Sequence, residues 1–303
     1  MTIAIGSQAK LGFGTTSTVD KPLEFISESI KKVGTILDTN GIRGTRSHAS
    51  ERSRVGPYTV SGQIVCNPTP LELNDLGQFI MGGAPLVGTP AGSTTFPVAE
   101  ALPAALFINV ERIGKRFVYD LCKIVRATFS ASEGQLLTLT LDIEGGTETV
   151  SATAFPALTY YTDQPFTFMD AVFTINGTTA TPREFEVVIE NTPLTDRFLN
   201  STTRASIPII DRNVTFRCAM PYDTANEIAT YDVALASQTT ASIVFTNGTK
   251  SMTISLAGKF QIQPESPTIN GKGEMVLPIG GVARKVGQTL GTTDEISLVI
   301  DST

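Results

Sequence analysis

The sequence predicts a mainly-β protein built from two tandem copies of one domain, each with one short flanking helix. Three observations carry that prediction. Only 17% of the residues are charged and 41% are hydrophobic. Threonine and serine make up the shortfall from the roughly 25% charge of ordinary soluble domains, a composition that favours strands and turns over long helices. Leu137, Leu139, Leu141 and Ile143 alternate with Thr138, Thr140 and Asp142, the period of a strand buried on one face. One residue order also occurs twice. Cys66 and Cys218 lie 218 − 66 = 152 positions apart, and at that offset Asn74-Asp75-Leu76 falls on Asn226-Glu227-Ile228. With 303 residues there is room for two cores of about 150 residues each.

In chain order, residues 1–22 are Gly/Thr-rich and read as an extended N-terminal arm, ordered against a neighbour. Leu23 to Ile30 alternates as a strand, and Asn40-Gly41 marks a turn. A polar segment follows with Arg43, Arg46, Arg52, Arg54 and the single histidine, His48. Tyr58 to Cys66 reads as a strand. A helix is expected over Leu71 to Ile80: Thr69 can cap it, Pro70 suits its first position and Glu72 its first turn. Leu73, Leu76 and Ile80 share one face, and Gly82-Gly83 ends it. Ala84 to Ala105, rich in Pro, Gly and Thr, is expected as loop. Residues 106–145 return to strands in three runs, LFINVER, KRFVYDLCKIVRATFSAS and QLLTLTLDIEGG.

The second half replays this order. Phe166 to Gly177 is a strand reaching an Asn-Gly turn, and REFEVVIEN sets Phe185, Val187 and Ile189 against Glu184, Glu186 and Glu190. LTDRFLNSTTRAS is the polar loop with Arg197 and Arg204, NVTFRC the next strand, and DTANEIATYDVALA the second helix. A hairpin then turns on Asn247-Gly248. In both halves a lysine opens a late strand and a Gly-Gly pair closes the last one, Gly145-Gly146 and Gly280-Gly281. The expected divisions are an arm (1–22), a first domain (23–155), a second domain (156–291) and a tail (292–303), with the join near Val150 to Thr162.

Composition and motifs remove several functions. A formal charge of −6 leaves the whole chain without the basic face that nucleic-acid binding needs. Cys66, Cys122 and Cys218 cannot all pair and no CxxC is present; Cys66 and Cys218, at equivalent repeat positions, each read as a small buried hydrophobe in its own domain, which suits a reducing compartment. The start of the chain lacks a basic stretch followed by an apolar run, and no apolar run approaches the roughly 18 residues of a membrane span. The expectation is a soluble chain made in a cytoplasm. One histidine in a polar loop is poor material for a nucleophile–base pair, scattered cysteines do not make a zinc site, and phosphate-cradling glycine motifs are missing. Glu184 and Glu186, two apart on a strand, share a solvated face. No catalytic, cofactor-binding or metal residue is assigned, and no cofactor is expected.

The Arg-rich segment can be a solvated loop, a nucleic-acid contact, or a loop docking on a neighbouring subunit through Arg–carboxylate pairs. A resemblance favours the last. The run LEFISESI…NGIRGTRSHASERSRVGPYTVSGQIVCNPTPLELNDLGQFIMGG resembles the tail tube proteins of long-tailed bacteriophages, most specifically over Leu23 to Gly83. The later strands match more by order than by residue. The resemblance implies β-sandwich domains whose strands line an inner barrel, with a helix on the flank. It also implies rings that stack into the conduit through which the genome leaves the capsid. Since such rings have six domain copies, a duplicated chain implies trimeric, pseudo-hexameric rings.

The implied partners are the chain itself, tail terminator, tape measure and distal tail proteins. Phage DNA would pass through the lumen without specific binding, and no membrane is involved. The implied location is the virion tail, after assembly in the host cytoplasm. Arg43, Arg46, His48, Arg52 and Arg54 would form the inter-ring loop, with Arg197 and Arg204 in the second copy's loop. Arm and tail would bridge neighbours. Asp142, Glu144, Glu184 and Glu186 are candidates to face the lumen, where acids would repel DNA phosphate. The competing reading is a two-domain β-sandwich adhesin or receptor-binding tail component, which calls for exposed aromatics. Here only Tyr160-Tyr161 cluster.

Overall fold

The strict alternation read from Thr138 to Gly145 becomes a strand with Leu139, Leu141 and Ile143 buried and the threonines and acids on the other face. In the computed structural model this strand lies inside one long antiparallel sheet. The structure describes residues 6–303 except 40, 43, 48–49, 89–91, 104, 113, 223–238, 264–268, 270–271, 274 and 288–293. At 257–259 and 261–263 it describes the backbone alone. From its first-half edge the long sheet runs Ser27–Glu28, Arg54–Cys66, Thr138–Gly145, Lys123–Ser132. It continues into the second half as Glu184–Pro193, Ile209–Pro221, Val276–Arg284, Lys250–Gln263, Thr239–Asn247, Ala171–Ile175 and Thr178–Ala180. A five-stranded sheet of the first half orders Thr147–Ser151, Lys115–Asp120, Phe107–Arg112, Lys10–Gly14 and Lys21–Pro22.

Several pairings recur between the two halves. Arg54–Cys66 lies beside Thr138–Gly145, which lies beside Lys123–Ser132; Ile209–Pro221 lies likewise beside Val276–Arg284, and that beside Lys250–Gln263. Cys66 faces Leu139 as Cys218 faces Ile279, and Lys123 faces Glu144 as Lys259 faces Arg284. The two lysines are therefore equivalent, as expected. The Gly-Gly pairs are not. Counting from Leu139 and Ile279, Gly280-Gly281 corresponds to Thr140-Leu141, and Gly145 to Lys285. Glycine dipeptides at similar distances from a strand end are a composition signal, whereas pairing fixes register.

Two of the four expected divisions change. Residues 10–22 are no arm: Lys10–Gly14 is almost wholly buried, pairs along Phe107–Arg112, and places Leu11 and Phe13 in the core. The tail is internal too, since Ser297–Asp301 pairs with Lys250–Gln263 and with Ser93–Phe96 of the first half. That second pairing gives strand structure to part of 84–105, expected as loop; its partner lies some 200 positions away, beyond any local pattern. LEFISESI is not one strand, because only Ser27–Glu28 qualifies within it. The run KRFVYDLCKIVRATFSAS breaks at Leu121, which takes φ 54°, into Lys115–Asp120 and Lys123–Ser132. Thr147–Ser151 extends the first half into the expected join.

The helix spans Pro70–Met81, one residue beyond the expectation at each end. Thr69 Oγ1 accepts from the Glu72 N–H at 3.3 Å while the Glu72 carboxylate accepts from the Thr69 N–H at 2.9 Å, a complete capping box. The last turn closes on Gly82 at φ 91°. Leu73, Leu76, Phe79, Ile80 and Met81 are buried, and the Phe79 ring meets Phe13 edge-on at 6.1 Å. The second-copy helix expected over DTANEIATYDVALA lies outside the described residues.

Glu72 also accepts from the Glu24 N–H at 2.9 Å, tying the helix start to the chain entering the sheet. Burial pushes its carboxyl above the ordinary value, against the N–H donors that pull it down. A carboxyl whose folded pKa lies above its unfolded one binds more protons when folded. Its contribution to stability is fully present below the unfolded pKa and declines as pH rises through the folded value. Glu72→Gln is expected to flatten that decline in urea titrations run upward from the ordinary carboxyl range. A wild-type stability that rises over this window relative to the variant would contradict the assignment.

Candidate assembly surfaces

KKVGTIL shows no period-two pattern, yet Lys31–Leu37 is a strand because it pairs with Arg54–Cys66 from Lys31↔Ser61 to Leu37↔Arg54. Every one of its residues is exposed. The result is a hairpin arm with the Arg-rich segment at its tip. Arg46 and Arg52 are exposed there, Arg52 closing a short 3-10 turn at Ser50–Arg52, and Arg54 is an exposed strand residue opposite Leu37. Arg43 and His48 lie outside the described residues. Apolar side chains that no sequence pattern marks accompany the charge. Ile36 is 75% exposed, Val55 80% and Ile42 101%, with Leu37 and Val33 also open. Five apolar side chains on one hairpin are more than scattered surface residues explain.

The second copy's loop does the opposite. Arg204, expected at a docking surface, is 5% exposed. Its Nη1 meets Glu144 Oε2 at 2.5 Å and the Gly145 carbonyl at 3.3 Å, and its Nε donates to the Thr195 carbonyl at 2.9 Å. The Tyr58 N–H donates to the Thr202 carbonyl at 3.0 Å. Loop 194–208 is thus folded against the first half, which corrects the docking role given to Arg204 and withdraws Glu144 from the free acids. A buried guanidinium needs its partners, and an internal clamp supplies them. Arg197 remains exposed.

Across the join between halves, Arg126↔Glu190 through Ser132↔Glu184 form one continuous antiparallel ladder. Its non-core face carries polar rows running from strand to strand. Gln63, Asp142, Arg126, Glu190 and Asn213 make one; Thr138, Ser130, Glu186, Arg217 and Gly280 make another. Asp142 accepts from Gln63 Nε2 at 2.8 Å. Glu184 and Glu186 border an open concavity of about 940 Å³ over this face, together with Ser130, Ser132 and Arg217. Arg126 and Arg217 were legible as the polar members of alternating runs, but only the register shows that they stand beside acids.

The remaining candidates are absorbed by packing. Tyr161 donates to Asp75 Oδ2 at 2.5 Å, and burial with the Asp75 carboxylate pushes its hydroxyl well above the ordinary value. Asp75 also pairs with Lys21. The Tyr160-Tyr161 pair, the one feature in favour of an adhesin, has one member holding the first-half helix to its neighbours. Burial pushes all three cysteine thiols up, Cys218 to about 12. Among the described residues, no cluster of three or more His, Cys, Asp or Glu is placed to hold a metal, and no helix is long and apolar enough to cross a membrane.

A long all-antiparallel sheet with a polar face, flanked by one helix and an exposed apolar hairpin, places the chain among mainly-β proteins. A family profile described as phage tail tube protein matches residues 2–283, and the chain belongs to that family. No curated protein matches the sequence. As a member of a structural tail tube family, the protein is a component of the phage tail.

Proposed function

We propose that the chain is the major subunit of the tail tube and assembles without enzymatic activity into stacked trimeric rings. Each ring holds six sheet units and encloses the conduit for genome ejection. The observation that carries the reading is the intrachain ladder between Lys123–Ser132 and Glu184–Pro193. It joins two equivalent four-strand units side by side with the polar face continuous across the join, and three such chains supply six units to one barrel. In this reading the two tandem domains occupy roughly 10–151 and 171–301, counting the first and last strands into their sheets. The concave face lines the lumen. Asp142 and Glu190 flank Arg126 there and Glu186 stands beside Arg217, so DNA phosphate meets no unpaired basic row.

The hairpin of Lys31–Leu37 and Arg54–Cys66 docks on the next ring, with Arg46, Arg52 and Arg54 beside its apolar side chains; Arg43 and His48 belong to the same loop by sequence. The equivalent loop of the second copy, 194–208, is folded back on the first half, so successive rings meet through three such arms, not six. Tail terminator, tape measure and distal tail proteins are the expected end partners, and assembly takes place in the host cytoplasm. Negative-stain microscopy of the concentrated protein, with rotational averaging of end-on views, tests the reading. Rings of three-fold symmetry are expected, stacking into tubes. Rings of true six-fold symmetry built from six chains, or a strictly monomeric species at high concentration, would overturn it.

A further inference from the structure

The internal ladder is a template for the contact between chains. Register makes Ser27 equivalent to Glu186 (opposite Val65 and Arg217) and Lys31 equivalent to Glu190 (opposite Ser61 and Asn213). Ser29 and Ile30 then correspond to Val188 and Ile189. On the other side, Arg126 and Gln261 face the equivalent Asp142 and Val282, and Thr128 and Gln263 face the equivalent Thr140 and Gly280. Inside the chain Arg126, Ala127 and Thr128 pair with Glu190, Ile189 and Val188. Among the described residues, the equivalent backbone at 261–263 has a strand on one edge only.

Among the described residues the segment 27–31 also lacks an outer strand, but its edge is not bare. The Ile30 N–H donates to Glu28 Oε2 at 3.1 Å, and the Ile30 carbonyl accepts from Arg112 Nη2 at 2.7 Å and from the Tyr119 hydroxyl at 3.0 Å. Arg112 grips Glu28 with both Nε (2.8 Å) and Nη2 (2.6 Å), and its Nη1 donates to the Tyr119 oxygen at 2.7 Å. Ile189, the equivalent residue in the second copy, spends its position on the ladder with Ala127. A charged side chain folded over an edge strand blocks unwanted pairing by satisfying the groups that another strand would use.

We propose that Glu28, Arg112 and Tyr119 form an edge guard. In the free chain it closes the Ile30 backbone groups that the Gln261–Gln263 strand of a second copy takes over on ring closure. The intermolecular register is Gln261 to Lys31 and Gln263 to Ser29. This inference rests on the ring reading above. The guard lets the chain stay unpolymerised at its open edge until a neighbour in the correct register displaces it, and the polar face then continues around the ring.

The test uses the full chain carrying Ser29→Cys and Gln263→Cys, assembled and then oxidised with copper–phenanthroline. The native cysteines are buried and stay silent. Ser29 sends its own N–H inward to Gln63, so the engineered pair sits at a non-hydrogen-bonded position, the close one of an antiparallel ladder. Covalently linked chains up to a closed trimer are expected on non-reducing gels, while Ser29→Cys with Gln261→Cys stays largely monomeric. Rings seen by microscopy without the Ser29–Gln263 crosslink would overturn the edge assignment and leave the ring reading standing; absence of rings removes both. For the guard, Glu28→Gln and Tyr119→Phe should each shorten the lag of assembly followed by light scattering several-fold, with circular dichroism unchanged. An equal or longer lag in both folded variants overturns it.

Discussion

Arg204→Met is expected to destabilise the protein by about 3–5 kcal/mol and to free loop 194–208 from the first half, because it strands Glu144 without its partner in a largely buried setting. The expected signature is more than a lower midpoint in urea. Proteolysis should cut within 194–208 while the sheet ladder between halves persists, since Arg126–Ser132 and Glu184–Glu190 pair independently of the clamp. Arg204→Lys should recover only part of the loss, because one ammonium cannot reach Glu144, the Gly145 carbonyl and the Thr195 carbonyl together. A loss below about 1 kcal/mol would mean that the loop is held by its backbone bond to Tyr58 and by packing alone.

The second large effect concerns stacking. Converting Ile36, Leu37 and Val55 together to serine should leave the chain folded, with all three exposed in the single subunit, yet end the series of assemblies at isolated rings. Burying each of these side chains in a contact is worth about 1.5–3 kcal/mol, whereas an exposed ion pair contributes about 0–1 kcal/mol. Apolar loss should therefore shorten tubes more than charge reversal at Arg46, Arg52 and Arg54. Tube length distributions by microscopy separate the two. Full-length tubes from the serine variant would remove the hairpin from the ring-to-ring contact.

The reason these surfaces were only partly legible is physical. Charge is visible in a sequence wherever it lies, so Arg46, Arg52 and Arg54 stood out at once. Ile36, Leu37 and Val55 have the same chemistry as core residues, and only their exposure reveals another use. Arg204 shows the converse: it resembled its first-copy counterparts in type and place, but a loop that folds back on its neighbour buries what an arm displays. The hairpin strand Lys31–Leu37 has no alternation to read because neither of its faces meets a core.

What the sequence determined by itself is whatever depends on neighbours a few residues away. The helix with Thr69, Pro70, Glu72 and Gly82 at its ends is of this kind, as are the strands at Thr138–Gly145 and Glu184–Pro193. The tertiary structure decided what depends on distant partners. It folded Lys10–Gly14 and Ser297–Asp301 into the sheets, shifted the Gly-Gly pairs out of equivalence, and placed Arg126 between Asp142 and Glu190. Backbone hydrogen bonding between strands is blind to side-chain identity, so local pattern can announce a strand but not choose its neighbour.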